Sequence, residues 1–284
     1  MLELKNKGAT VFAPDGADAS TALRRTTHLC VGAHQDDQEF MAYPGIATCY
    51  GREDLWFSGV TVTNGAGSSR TGLYANVTDA EMMAIRKREQ NKAAMVGEYA
   101  CQIQLDYPSS QVKDATNAHP VDDLESIFHE TQPEFLYLHN PADKHDTHVA
   151  VFLRCLAALR RLPQQERPAV VYGCEIWRGL DWLLDDEKVA LDAGAHPNLA
   201  AALNGIFDSQ ITGGKRYDLA VQGRRMANAT FFASHQVDEI DSISWAMDLT
   251  PLIQDDALDP VEYTLGYLDR LREDVSLRLQ RFGV

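Results

Sequence analysis

The chain has 284 residues, of which 45% are apolar and 24% charged, the balance of an ordinary globular protein. Its 41 acidic residues outnumber 26 Lys and Arg, and the formal net charge of −15 argues against nucleic acid or an anionic membrane as partner, since both would be repelled. Five isolated cysteines (30, 49, 101, 155 and 174) form no Cys-x-x-Cys pair and sit mostly in apolar patterns, so they read as buried free thiols of a reducing compartment. The opening Met1-Leu2-Glu3-Leu4-Lys5 is charged and lacks the apolar core of a signal peptide, and no stretch approaches a membrane span; a cytoplasmic location is expected.

Residues 1–25 are mixed in character, with a turn at Pro14-Asp15-Gly16, and read as an N-terminal arm. An apolar run from His28 to Val31 reads as a strand that turns at Gly32-Ala33 into His34-Gln35-Asp36-Asp37-Gln38-Glu39. In an open α/β sheet, ligands bind at loops that follow strand carboxyl ends. A His and an Asp three residues apart there suit a divalent metal, and the neighbouring carboxylate is left free as a base. The competing reading makes Asp36 and Asp37 a helix cap and a first-turn acid.

Residues 40–51 should be mainly helical despite Pro44-Gly45, and residues 55–63 read as the second strand. The small-residue loop 64–69 lacks the Lys-Ser/Thr of a phosphate-binding loop and is expected to be a pocket rim; residues 70–76 look like a lid. Thr78 and Glu81 offer a capping box for a helix running to about residue 99, whose charges are mostly a solvated face. A short strand (102–105), a helix (122–131) and a strand entering His139-Asn140 follow. Then come His145-Asp146-Thr147-His148 and an apolar helical pattern. Histidines at i and i+3 share one side of a helical turn. If the two loops meet, His34, Asp37 and one of these histidines give three ligands and an open position, as in catalytic zinc sites.

Alternating strands and helices from 27 to 162 predict right-handed βαβ units. The expected fold is α/β: a Rossmann-like, mostly parallel sheet with helices on both faces, as a single domain (26–240) with a C-terminal extension (241–284) packed on the core. A further strand (169–176) leads to Trp177-Arg178-Gly179-Leu180-Asp181-Trp182, read either as a sugar platform or as two core or interface tryptophans. Helices are expected at 199–206 and 217–232, the latter packing Leu219, Val221, Met226 and Phe231, and at 263–279. The tail either covers the core or mediates self-association into a homo-oligomer. His139 is a candidate for a supporting place beside the site, and His235 for reaching it from the far side.

The two motifs resemble the PIG-L/LmbE-like metal-dependent N-deacetylases. That family carries Ala-His-Pro-Asp-Asp-Glu after its first strand and His-x-Asp-His about a hundred residues later; here they read Ala33-His34-Gln35-Asp36-Asp37-Gln38-Glu39 and His145-Asp146-Thr147-His148. The resemblance implies one zinc per chain on His34, Asp37 and His148, with Asp36 as general base and His145 as acid or oxyanion stabiliser. Softer matches are Arg86, where the family has a substrate-facing arginine, and Ala233-Ser234-His235-Gln236; Trp177 and Arg178 join Arg86 as expected substrate contacts. Gln35 replaces the family's Pro, Gln38 its Glu, and Asp146 stands one place early in the second motif, which leaves the partner that orients His145 unassigned.

The expected activity is zinc-dependent removal of an N-acetyl or related N-acyl group from an amino sugar or its conjugate; a thiol-conjugate or peptide-like amide is the alternative. The expected partner is a small N-acylated molecule, with neither nucleic acid nor membrane. A nucleotide-binding module is disfavoured because the Gly-x-Gly-x-x-Gly fingerprint is absent, and a purely structural metal because no fourth protein ligand is evident.

Overall fold

The apolar runs of the sequence become strands buried on both faces, as a parallel sheet covered by helices requires. The structure is a computed structural model describing residues 2–283 except 234 and 236. Its strands are β1 (Thr10–Phe12), β2 (His28–Gly32), β3 (Phe57–Thr63), β4 (Cys101–Tyr107), β5 (Phe135–His139), β6 (Val170–Cys174), β7 (Lys188–Asp192) and β8 (Ile243–Asp248). They form one sheet in the order β1-β4-β3-β2-β5-β6-β8-β7. The five strands from β4 to β6 in that order are parallel, and the short β1 adds antiparallel to β4 at one edge. At the other side β8 runs antiparallel between β6 and β7.

The chain winds from β2 outward through β3 and β4, then returns to place β5 and β6 on the opposite side of β2. The loops leaving β2 and β5 therefore diverge from adjacent parallel strands at the switch point of the sheet, where a crevice opens. Helices Ala19–Arg24, His119–Thr131 and Asp146–Arg161 cover one face over a core that includes Leu29, Val31, Leu136 and Phe152. Helices Tyr43–Cys49, Asp79–Val96 and Pro197–Gly205 cover the other, over Cys30, Phe57, Tyr99 and Tyr137. The capping box forms as read: the Thr78 hydroxyl accepts from the Glu81 N–H at 3.3 Å, and Glu81 accepts from the Thr78 N–H at 2.9 Å. All five cysteines are buried and free, and no helix among the described residues is long and apolar enough to cross a membrane.

The expected arm and extension both supply strands to this sheet. Residues 10–12 form its edge, and residues 243–248 lie inside it, so neither segment is an appendage. These strands are short and draw their stability from partners distant in sequence, which local patterning does not register. In helix Tyr217–Thr230 the buried residues are Arg225 and Ala229, whereas Leu219, Met226 and Phe231 are exposed. Arg225 takes the inner face because its guanidinium donates to the carbonyls of Glu39 and Phe40, both at 2.9 Å, and lies over the Tyr43 ring.

Helix Tyr43–Cys49 approaches the sheet closely through Gly45, where a β-carbon would lie 2.7 Å from the Tyr137 ring. Tyr137 is itself wedged among His28, Phe57 and Tyr172. Gly45→Ala is therefore expected to destabilise the fold by about 1–3 kcal/mol, the cost of overpacking, although alanine is the better helix former. Urea unfolding of the two proteins measures this, and an unchanged midpoint would show that Tyr137 yields freely.

Candidate active site

The β2 loop is set by one backbone torsion. Asp36 has φ +84°, a left-handed conformation that non-glycine residues seldom adopt, and its N–H donates to the Gln90 side-chain oxygen at 3.0 Å. The turn sends two adjacent carboxylates to different partners. Asp36 Oδ2 meets the Arg86 guanidinium at 2.9 Å, while Asp37 Oδ2 lies 3.4 Å from each of His34 Nδ1, His139 Nε2 and His148 Nε2. Gln35 pins the loop by donating to the Thr63 carbonyl at 3.1 Å, and its own carbonyl accepts from Arg86.

From the other strand, β5 ends in the fully buried His139, and His148 sits in the first turn of helix Asp146–Arg161. His34 Nδ1 and His148 Nε2 are 3.2 Å apart. With each 3.4 Å from Asp37 Oδ2, the three donor atoms make a nearly equilateral triangle. Tetrahedral ligands at about 2.0–2.1 Å from a metal stand about 3.3–3.4 Å apart, so the triangle fits a small divalent ion with its remaining position open. Protonation agrees with that use. Burial lowers His148 to about 4, leaving a neutral imidazole. Burial alone would raise Asp37, but His148, His139 and His34 beside it hold its carboxyl well below the usual range. An ionised carboxylate and neutral imidazoles are the forms that bind metals.

His139 is equally near Asp37, yet its Nε2 accepts the Ala33 N–H at 2.9 Å, so that lone pair is occupied. Its ring stacks on His148 at 3.9 Å. It therefore fixes the turn that presents His34 and the plane of His148. Asp143 supports the same cluster: it accepts the His145 N–H at 2.9 Å and the Trp177 N–H at 3.2 Å, and lies 3.7 Å from His148 Nδ1. The carboxylate beside His148 is thus Asp143, and Asp146 is exposed at the start of its helix. His145 precedes that helix with its ring stacked on His148 at 4.5 Å and edge-on to His34 at 4.9 Å. Burial and the proximity of His34 lower its pKa, so it rests neutral.

The cluster forms the floor of a cavity of about 660 Å³, walled by Trp177, Tyr217, Phe40 and the loop 64–69. Burial pushes Asp36 up to about 7, with Asp37 adding to the rise and Arg86 opposing it. Two expectations change. Arg86 is buried and bound to Asp36 and Glu89, so although it lines the wall it positions Asp36 instead of reaching outward for substrate. Arg178 is exposed and stands outside the cavity lining, because the chain turns after Trp177 and Leu180 takes the buried place. Trp182 packs against Tyr267 and the core, leaving Trp177 alone at the cavity. Glu39 accepts from Gln90 and Tyr99 inside the protein, at 2.8 and 2.7 Å, away from the lining. In the segment 233–236, residues 234 and 236 lie outside the described residues; His235 is exposed and does not line the cavity.

Glu89 and Gln90 carry no motif that marks them as supports, whereas His139, at the end of β5, takes the supporting place expected of it. The Arg86-x-x-Glu89-Gln90 spacing places three polar residues on one side of a helix, a signal by which Glu89 and Gln90 could be grouped with Arg86 apart from the solvated face. Elemental analysis of purified variants should separate ligands from supports. His34→Ala and His148→Ala are expected to lose bound metal, whereas His139→Ala keeps it with affinity weakened by about 10–100-fold. Full retention in His148→Ala would remove that residue from the ligand set.

Residues 29–159, which hold both motifs, match the PIG-L family, described as GlcNAc-PI de-N-acetylase. No curated protein matches the sequence. Among solved structures, 4-carboxy-2-hydroxymuconate hydratase of Pseudomonas putida superposes with a TM-score of 0.61 at 18% identity, over 80% of this chain and 97% of that one. A conserved protein of Thermus thermophilus gives 0.59 at 17%, over 78% and 94%. N,N'-diacetylchitobiose deacetylase of Pyrococcus horikoshii gives 0.60 at 14%, over 83% and 85%. At these identities the likeness is one of fold, and over residues 29–159, the stretch that holds both motifs, the chain is similar to the PIG-L family.

Proposed function

We propose that the protein is a metal-dependent hydrolase that removes an N-acetyl or related N-acyl group from an amino sugar or its conjugate. The observation that carries the reading is the triangle of His34, Asp37 and His148 with the separately held Asp36 at its side. A divalent ion on that triangle would supply Lewis acidity to the acyl carbonyl and to water, and zinc suits the donor set. Similarity to a family described as a de-N-acetylase, and a shared fold with a diacetylchitobiose deacetylase, support the same chemistry.

The chain's own groups then divide the work. Asp36 keeps one oxygen on Arg86 and has the other free to take the proton of the attacking water. Held near neutrality by burial, it returns that proton to the amine nitrogen as the C–N bond breaks, so that acyl acid and free amine leave. Neutral His145 stands beside the cluster as a hydrogen-bond donor to the oxygen that becomes negative. Trp177 and Tyr217 wall the space where a sugar ring would lie, the Trp offering its face to the apolar side of the ring. The same fold also serves a hydratase, so fold alone does not select the reaction.

The test is product analysis with metal-loaded protein and a panel of N-acylated amino sugars, thiol conjugates and peptides, read as release of acetate and free amine. Asp36→Asn should retain metal and lose about 10²–10⁴-fold in kcat. Addition of water to an unsaturated acid without amide cleavage would point to the hydratase chemistry. Near-normal turnover in Asp36→Asn would assign the base elsewhere.

A further inference from the structure

The cavity wall has a charge opposite to that of the chain. In a protein of net charge −15, the carboxylates lining the cavity are Asp36 and Asp37, while Arg86, Lys113, Lys144, Lys215 and Arg224 line it as cations. Arg86 is consumed by Asp36 and Glu89. Asp37 belongs to the imidazole cluster, where a divalent ion would over-compensate it. The other four cations are thus not needed to neutralise the site: Lys113, Lys144 and Lys215 make no ion pair among the described residues, and Arg224 makes no direct one, although its charge opposes the rise that burial imposes on the Glu175 carboxyl. They come from separate elements: Lys113 ends the helix after β4, Lys144 lies on the loop after β5, Lys215 precedes helix Tyr217–Thr230, and Arg224 is within it. Lys215 Nζ stands 5.2 Å over the Trp177 ring, and Arg224 is anchored by donating to the Ile176 carbonyl. Opposite them the rim 64–69 offers small side chains and backbone.

Four like charges around one cavity repel one another unless a ligand brings negative charge, and a cavity focuses their field. We propose that the substrate of this site is an N-acylated amino sugar carrying an anionic group, phosphate or carboxylate, held by Lys113, Lys144, Lys215 and Arg224. The inference rests on the deacylase reading for its reaction but not for its binding. The acyl group sits at the His34–Asp37–His148 floor, and the anion at the cationic wall. The field draws the substrate in and holds the rest of the molecule while the amide is placed.

Two measurements keep the two readings apart. The first compares kcat/KM of metal-loaded protein for N-acetylglucosamine, its 1- and 6-phosphates, and glycosides with a carboxylate on the aglycone. An anionic member should be preferred by roughly tenfold or more, less so as salt rises. The anionic-to-neutral ratio should collapse in Lys144→Gln/Lys215→Gln and in Arg224→Gln. The phosphate and carboxylate arms tell which anion is meant. The second titrates inorganic phosphate into the same proteins by calorimetry, with saturable binding expected in the parent and loss of it in the double variant. Phosphate binding without hydrolysis of any compound would uphold the anion site and fail the deacylase reading. Equal turnover of neutral and anionic sugars, or parent and double variant alike towards phosphate, would overturn the anion site.

Discussion

The carboxylate of Asp37 joins the two halves of the sheet. One of its oxygens accepts the His34 N–H at 2.7 Å and lies 3.4 Å from imidazole nitrogens delivered by the β2 loop, the end of β5 and the following helix. Such a cluster is tolerable in a buried place because anion and imidazoles satisfy one another and, together, suit a cation. Remove the carboxylate and buried nitrogens face one another with nothing between them. The orientation of His34, the stacking of His139 on His148 and the position of His145 over both all follow from this convergence.

Around it the protein pays for a second buried charge. Asp36 and Arg86 are both buried, and Arg86 is shared with Glu89, which in turn accepts the Ser209 N–H and hydroxyl at 2.7 and 2.6 Å. Gln90 completes the frame by accepting from the Asp36 N–H and donating to Glu39. This chain of polar contacts maintains the left-handed turn at Asp36, a conformation that is costly in isolation and stays populated only when its surroundings over-determine it. The consequence is functional: two neighbouring acids acquire opposite characters, Asp37 firmly ionised and Asp36 lifted towards neutrality.

The charge of the whole chain and that of its cavity point in different directions, and the fold reconciles them. A net charge of −15 spread over the surface repels polyanions, while side chains from four elements concentrate positive charge in one recess. Screening shortens the reach of the surface charge to about 8–10 Å, so a small anion inside the recess responds mostly to its walls. Composition alone therefore describes which large partners are repelled and says little about the sign of a small ligand.

Much of this was legible in the amino-acid order, because its signals are local. Apolar runs, the capping box of Thr78 and Glu81, and the two short motifs each depend on neighbours within a few residues, and they carry the parallel sheet and the loops on which His34, Asp37 and His148 come together. What only the tertiary structure decided involves residues distant in the chain. Strand β8 enters the sheet between β6 and β7, Arg86 turns to Asp36 across 50 positions, and His139 meets Ala33 across 106. The same holds for Asp143 beside His148 and for Arg178 turned away from the cavity. Sequence spacing determines which side of a helix or strand a residue occupies. Whether that side meets a charge, a cavity or water depends on which element packs against it, and that is set by the burial of the whole chain.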